Sequence, residues 1–269
     1  MILASHGLIA SQILQVDADW LAYYNRVIAA GGSLTTTEQN ATKTLVADLK
    51  ANGLWTPMKA IYPMVGASAE ACAQNLKSAS FTGSFSTGWT FASTGVTPNG
   101  TSAYMDTGFN LINDFASPSN ASIGAYLRSN NVKNAADMGA GDTGGATRGI
   151  LMFVDFADIY YASAFSALLN GGTNTDSRGF YLVQRNSGNA ENRKRGNVSI
   201  DNIQALPTGI VENLNIYVGA ASYITGNSSQ SFSNRETAFN FIGTALTTTE
   251  YNNFYTAVQA FQTTLGRQV

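Results

Sequence analysis

The sequence predicts a mainly β fold: an antiparallel β-sandwich or jelly roll bracketed by N- and C-terminal helices. Three observations lead there. The phrase Leu-Thr-Thr-Thr-Glu occurs twice, at Leu34–Glu38 and at Leu246–Glu250, and each copy opens about four turns of helix-compatible residues. Between the two, from about residue 80 onward, aromatic and β-branched residues alternate with small polar ones, and Gly or Asn clusters punctuate them. No long helical pattern separates these candidate strands, which argues against a parallel βαβ sheet.

The elements follow in chain order. Residues 17–30 predict a short helix with Trp20, Leu21, Tyr24, Val27 and Ile28 on one face, stopped by Gly31 and Gly32. The first capped helix spans 36–52. There the Thr35 hydroxyl takes an orphan N–H of the first turn, and Glu38 reaches back to the cap residue. Leu45 and Leu49 mark its apolar stripe, and Asn52-Gly53 ends it. Leu54–Pro63 carries Pro57 and Pro63, so it reads as an extended or edge segment. Strands are expected over 80–85, 89–93, 102–106, 121–128, 149–155, 158–164, 179–185, 197–201 and 214–221. Asp137–Gly149 is Gly-rich and reads as a mobile loop. Residues 189–197 gather Glu191, Arg193, Lys194 and Arg195, and read as a solvated hairpin tip or as a dock for an acidic partner surface. The second capped helix, 248–264, sets Tyr251, Phe254, Tyr255, Val258, Phe261 and Leu265 on one broad apolar face. That face is expected to pack on the sandwich, on the first helix or on another subunit. The chain divides into a helical and extended docking region, 1–78, and a sandwich with its terminal helix, 79–269.

Composition narrows the function classes. Hydrophobic residues make up 44% of the 269, enough for a large core. Charged residues are only 12%, about half the usual share, so Asn, Ser, Thr and Gly keep the surface wet. A net charge of −2 gives no nucleic-acid footprint. No apolar run reaches the length of a membrane span, and the N-terminus lacks the basic segment of a signal peptide. Cys72 is the sole cysteine, so no intrachain disulfide can form, and it reads as a small buried hydrophobe.

The chemistry of catalysis is sparse. His6 is the single histidine, and zinc sites need clusters of His and Cys. Residues 139–144 have the outline of G-x-G-x-x-G without the flanking strand and helix that the motif requires. Asp155 and Asp158 are three apart and so fall on opposite faces of a strand, unlike the carboxylate pair of a glycosidase. The expectation is therefore a chain that is not an enzyme and holds no cofactor. Calcium is the one open alternative, through Asp106, Asp137, Asp142 or Asp176 with backbone and Asn carbonyls. Sugar recognition would stack aromatic rings on pyranose faces. Trp89, Tyr104, Tyr160, Tyr181 and Tyr223 are the candidate glycan contacts, with Tyr161 also available, although most strand aromatics serve the core. Arg193, Lys194, Arg195, Tyr251, Phe254 and Tyr255 are the candidate docking contacts for a partner.

Several runs resemble a module of bacteriophage virion proteins. They are Leu45–Lys50, Leu54–Pro63 and Asn75–Lys77, then Trp89-Thr90, Thr94-Gly95, Pro98–Thr101 and Tyr104–Thr107. The close matches too: Phe232–Glu236, Phe241–Gly243, the Leu-Thr-x-x-Glu helix and the terminal Leu265–Val269. The likeness covers roughly 30–110 and 215–269, with a weaker middle. Such modules are similar to concanavalin A-like, laminin-G-like jelly rolls and occur on tail fibres, head fibres and capsids. The resemblance implies a structural protein on the particle surface, assembled in the host cytoplasm beside other virion proteins as a homo-oligomer, trimeric in form. A lectin-like module recognising a host surface glycan is the alternative. In longer fibre proteins the module is C-terminal. Here it begins almost at residue 1, which is the expectation for a compact decoration, capsid or fibre-tip subunit.

Overall fold

The computed structural model describes residues 16–141, 149–196, 199–223 and 231–269. His6, Asp142 and the opening of the strand expected over 197–201 lie outside them. In chain order the helices and strands are α1 (Ala18–Ala29), α2 (Thr36–Ala51), β1 (Met58–Tyr62), α3 (Ala69–Cys72), β2 (Ser84–Phe85), β3 (Trp89–Ala92), β4 (Gly95–Pro98) and β5 (Met105–Asn110). There follow β6 (Asn120–Leu127), β7 (Met138–Gly141), β8 (Ile150–Phe153), β9 (Ile159–Ala164), β10 (Leu169–Thr173), β11 (Gly179–Asn186) and β12 (Asn189–Arg195). The last are β13 (Ile200–Ala205), β14 (Asn215–Val218), β15 (Ala221–Tyr223), β16 (Thr237–Gly243) and α4 (Thr248–Thr264).

The strands form two sheets. The first runs β13-β12-β11-β6-β16-β4-β3, with β1 added to β16; the second runs β10-β9-β8-β7-β14-β5-β2, with the short β15 on β7. Every pairing among these strands is antiparallel except β15 with β7. The fold is a β-sandwich with helices at both ends of the chain, as the sequence predicts. The first core lies between the sheets, where Ile123, Ala125 and Val183 meet Met138, Met152 and Tyr160. A second core lies on the other face of the first sheet, where Tyr126, Phe180, Phe239 and Phe241 meet α2 and α4. All the long helices therefore gather on the first sheet, and the outer face of the second sheet is left for other use.

Both capping boxes form. Thr35 Oγ1 accepts from Glu38 N at 3.2 Å and Glu38 Oε2 accepts from Thr35 N at 2.8 Å; Thr247 and Glu250 repeat the pair at the same distances. Glu38 does more than cap, because its Oε1 accepts from Gly66 N at 2.8 Å and ties α2 to the segment after β1. On α4, Tyr251, Phe254, Val258 and Phe261 are buried, and Phe254 meets Phe241 edge to face with ring centroids 4.7 Å apart. β1 pairs with β16 alone and is an edge segment, as its prolines require.

Three expectations change. On α1, Leu21 and Ile28 are exposed while Tyr23 is fully buried, so the inward stripe is Trp20, Tyr23 and Val27. The Gly-rich stretch contains β7, whose Met138 and Ala140 face the inter-sheet core. The charged run at 189–195 is not a solvated tip; it is β12, paired on both edges. Its alternation divides the charges between two faces. Glu191 and Arg193 form an ion pair at 2.8 Å on the helix side, with Arg193 and Arg195 over the Tyr251 ring. Lys194 points between the sheets, donates to Asn174 Oδ1 at 2.6 Å and to the Asp176 carbonyl, and lies over Tyr181.

Candidate functional site

The site is built on the outer face of the second sheet by the β8–β9 hairpin. Period-two alternation sends Ile150 and Met152 inward and Leu151 and Phe153 outward. On β9, Tyr160 and Ala162 face the core, while Tyr161 stands outward beside its cross-strand partner Phe153. The turn between them is tight. Phe156 N donates to Ile159 O at 2.9 Å, and Ala157 and Asp158 both have positive φ, 53° and 61°. This is the pattern of a type I′ hairpin turn, which favours Asn-Gly. Ala and Asp hold it at a cost of about 1–2 kcal/mol per residue. Three bonds pin the turn. Asn134 Oδ1 accepts from Ala157 N at 3.0 Å, Asp155 Oδ1 accepts from Asp158 N at 3.0 Å, and Asn174 N donates to Asp158 O at 2.7 Å. The strained turn lifts Phe156 to 38% exposure.

Behind the turn sits a buried ion pair. Arg235 donates from Nη1 to both carboxylate oxygens of Asp137 at 3.0 Å, with both side chains at most 1% exposed. Its remaining donors reach three backbone carbonyls: Asn131 at 2.9 Å, Lys133 at 2.7 Å and Asp155 at 2.8 Å. Asp137 also accepts from Val154 N at 3.0 Å and from Ser233 Oγ at 2.6 Å. One guanidinium thus knits the 131–137 loop, the β8–β9 turn and the approach to β16. Burial raises the Asp155 carboxyl above its ordinary pKa against the opposing pull of Arg235, and among the described residues its Oδ2 has no hydrogen-bond partner.

These elements enclose a cavity of about 910 Å³. Its aromatic wall is Phe153, Phe156, Tyr161, Tyr223 and Phe232, with Leu168, itself 49% exposed, at one side. Phe156 meets Phe153 and Tyr161 edge to face at 5.9 and 6.2 Å. The polar rim is Thr101, Lys133, Asn134 and Ser231. Apolar rings with a few convergent polar groups are the usual lining of a small-molecule site, and the volume is near the top of the usual ~300–1,000 Å³ range.

The structure sorts the candidate glycan contacts. Tyr223 lines this cavity, as does Tyr161. Tyr160 and Tyr181 do not reach the surface: both are fully buried, and they meet edge to face at 5.1 Å between the sheets. Those two expectations are corrected, because their strand faces point into the core. Tyr104 stacks on Tyr217 at 4.5 Å elsewhere on the sandwich, and Trp89 is half-buried against Phe85. The docking candidates change likewise. Arg193, Lys194, Tyr251 and Phe254 are buried by contacts within the chain and offer nothing to a partner; Arg195 and Tyr255 keep partial exposure. Among the carboxylates weighed for calcium, Asp137 is committed to Arg235 and Asp176 to Arg178 at 2.8 Å. Among the described residues no cluster of three or more His, Cys, Asp or Glu is placed to hold a metal. No described helix is long and apolar enough to cross a membrane.

Sequence reasoning missed Phe153, Phe156, Lys133 and Asn134. The outward phase of Phe153 and Tyr161 was the available signal, but the turn between them lacks the Gly or Asn that marks a type I′ hairpin.

No family model and no curated protein matches the chain. Several solved structures are similar to it. Domain 4 of AbnA, a GH43 extracellular arabinanase from Geobacillus stearothermophilus in complex with arabinotriose, is 11% identical with a TM-score of 0.50, over 74% of this chain and 98% of that one. Trypanosoma rangeli sialidase in complex with sialic acid is 10% identical with a TM-score of 0.45, over 81% of this chain and 39% of that one. A mutant of the same sialidase displaying trans-sialidase activity is 8% identical with a TM-score of 0.47, over 84% and 39%. This chain therefore spans about two fifths of the sialidase chains. The likeness to the arabinanase domain, at 11% identity, bears on the sandwich fold alone. The arabinanase domain also overturns the expectation that the chain is not an enzyme. The same sandwich is part of a glycoside hydrolase, so the fold sets this chain apart from carbohydrate-active enzymes in no respect.

Proposed function

We propose that this chain is a carbohydrate-recognition subunit on the surface of a bacteriophage particle, holding a host-surface glycan in the cavity of the second sheet. The observation that carries the sugar half is the wall of Phe153, Phe156, Tyr161 and Tyr223 above a polar rim. A pyranose has an apolar C–H face and a belt of hydroxyls. Rings held in place by a pinned turn match the face, and Thr101, Asn134 and Lys133 match the belt. The arabinanase domain of the same fold is described with arabinotriose, which supports an oligosaccharide as the class of ligand. The virion half rests on the runs 54–63, 89–107 and 232–269, which resemble phage virion modules. In that setting the chain stands as a homo-oligomer, a trimer, among other virion proteins.

The test is a glycan array probed with the folded chain and with Tyr161→Ala. Retention of a defined glycan set, weakened about tenfold or more by the substitution (about 1.4 kcal/mol), supports the sugar half. A folded chain that retains no glycan refutes it. Mass spectrometry of purified virions tests the other half: presence at a fixed ratio to the major capsid protein supports it, and absence refutes it.

A further inference from the structure

We infer that the cavity selects an anionic glycan, one whose sugar carries a carboxylate or sulfate that Lys133 receives. The inference rests on the glycan reading and adds the charge of the ligand. Among the described residues, Lys133 is the one charged residue that lines the cavity. It is half-buried, and no described carboxylate pairs with it. A Cβ placed on Gly100 would lie 3.8 Å from Lys133 Nζ, which puts the ammonium at the rim beside Thr101.

The carboxylates nearby are turned away from the cavity. Asp155 is buried behind the turn among Arg235 and the Asp158 amide, and Asp137 is held by Arg235. Asp158 follows Ala157 on the exposed turn and is not a lining residue. Lys133 is anchored through its backbone, since its carbonyl accepts from Arg235 Nη2, and the side chain is left to serve the cavity.

The rest of the rim adds donors. Asn134 spends its Oδ1 on Ala157 N, so its Nδ2 is the group left for a ligand. An unpaired ammonium beside amide and hydroxyl donors in a half-enclosed apolar cavity favours an oxyanion over a neutral hydroxyl, because a charge-assisted bond is roughly twice as strong. The chain as a whole is acidic at −2, so its overall field does not draw anions; the preference is local to Lys133.

The experiment compares three matched oligosaccharides, neutral, carboxylated and sulfated, against the wild-type chain, Lys133→Gln and Tyr161→Ala by titration calorimetry at low and high salt. The wild type is expected to bind at least one anionic form about tenfold more tightly than the neutral one, with the gap narrowing at high salt. Lys133→Gln should lose that gap, weakening the anionic forms far more than the neutral one, and Tyr161→Ala should weaken all three alike. The carboxylated and sulfated arms show which anion is received. Equal binding of neutral and anionic forms, or an anionic preference unchanged in Lys133→Gln, overturns the inference and leaves the glycan reading standing. A wild type that binds none of the glycans overturns both.

Discussion

Replacing Arg235 with Met should collapse the cavity's foundation without altering any lining side chain. Arg235 is fully buried and bonds Asp137 twice and the carbonyls of Asn131, Lys133 and Asp155 once each. Its loss leaves the Asp137 carboxylate with only Val154 N and Ser233 Oγ and strips a donor from three carbonyls. Truncating one partner of a buried pair costs about 3–5 kcal/mol. At about 2–4 °C per kcal/mol for a chain of this size, Tm should fall by about 8–16 °C for a loss near 4 kcal/mol. Thermal melting followed by circular dichroism reads this directly. The control is Lys50→Ala, whose ion pairs to Asp17 and Asp19 are one-third or more exposed and contribute about 0–1 kcal/mol. The double variant Arg235→Met/Asp137→Leu should recover part of the loss, since no buried charge is then left unpaired. A fall in Tm no larger than that of Lys50→Ala contradicts a structural role for the Arg235–Asp137 pair.

Other outcomes follow from the same contacts. Thr247→Ala removes the α4 cap and should cost about 1 kcal/mol in urea unfolding, whereas Glu38→Ala should cost more than Glu250→Ala because Glu38 also holds Gly66 N. Phe254→Ala opens the aromatic stack against Phe180 and Phe241 and should cost about 3–5 kcal/mol by the same assay; a loss under 1 kcal/mol contradicts that packing. Gly139 has φ +141°, and an added Cβ would sit 2.4 Å from Ile150 O, so Gly139→Ala should yield little folded protein. Burial pushes the Lys194 ammonium down to about 8. The unfolded chain keeps that proton to about 10.4, so between the two values the unfolded state binds more protons and stability rises with pH. The stability of the wild type relative to Lys194→Met should therefore increase between about pH 8 and pH 10; a constant difference contradicts a charged, buried Lys194.

Local chemistry was legible in the sequence and long-range pairing was not. The capping boxes at Thr35 and Thr247 lie within four residues and predicted both helix starts, Thr36 and Thr248. Alternation and turn residues predicted β6, β9 and β11 closely, since these patterns are local. β12 was unreadable because Glu191, Arg193, Lys194 and Arg195 look solvated until their partners are known, and Asn174 is 20 residues away from Lys194. β16 carries no alternation, being buried along its whole length. For the site, strand phase alone could not say which of Tyr160 and Tyr161 faced out, because that depends on which face of the second sheet packs against the first. The Arg235–Asp137 pair spans 98 residues, and no local signal announces it.

The most direct measurement is a crystal structure of the chain with a glycan that the array retains. The expected complex has a sugar ring lying on Tyr161 or Phe156 at van der Waals distance, about 4 Å, with its acidic group toward Lys133. A sugar seated elsewhere, for example on the Tyr104–Tyr217 stack with the cavity empty, contradicts it.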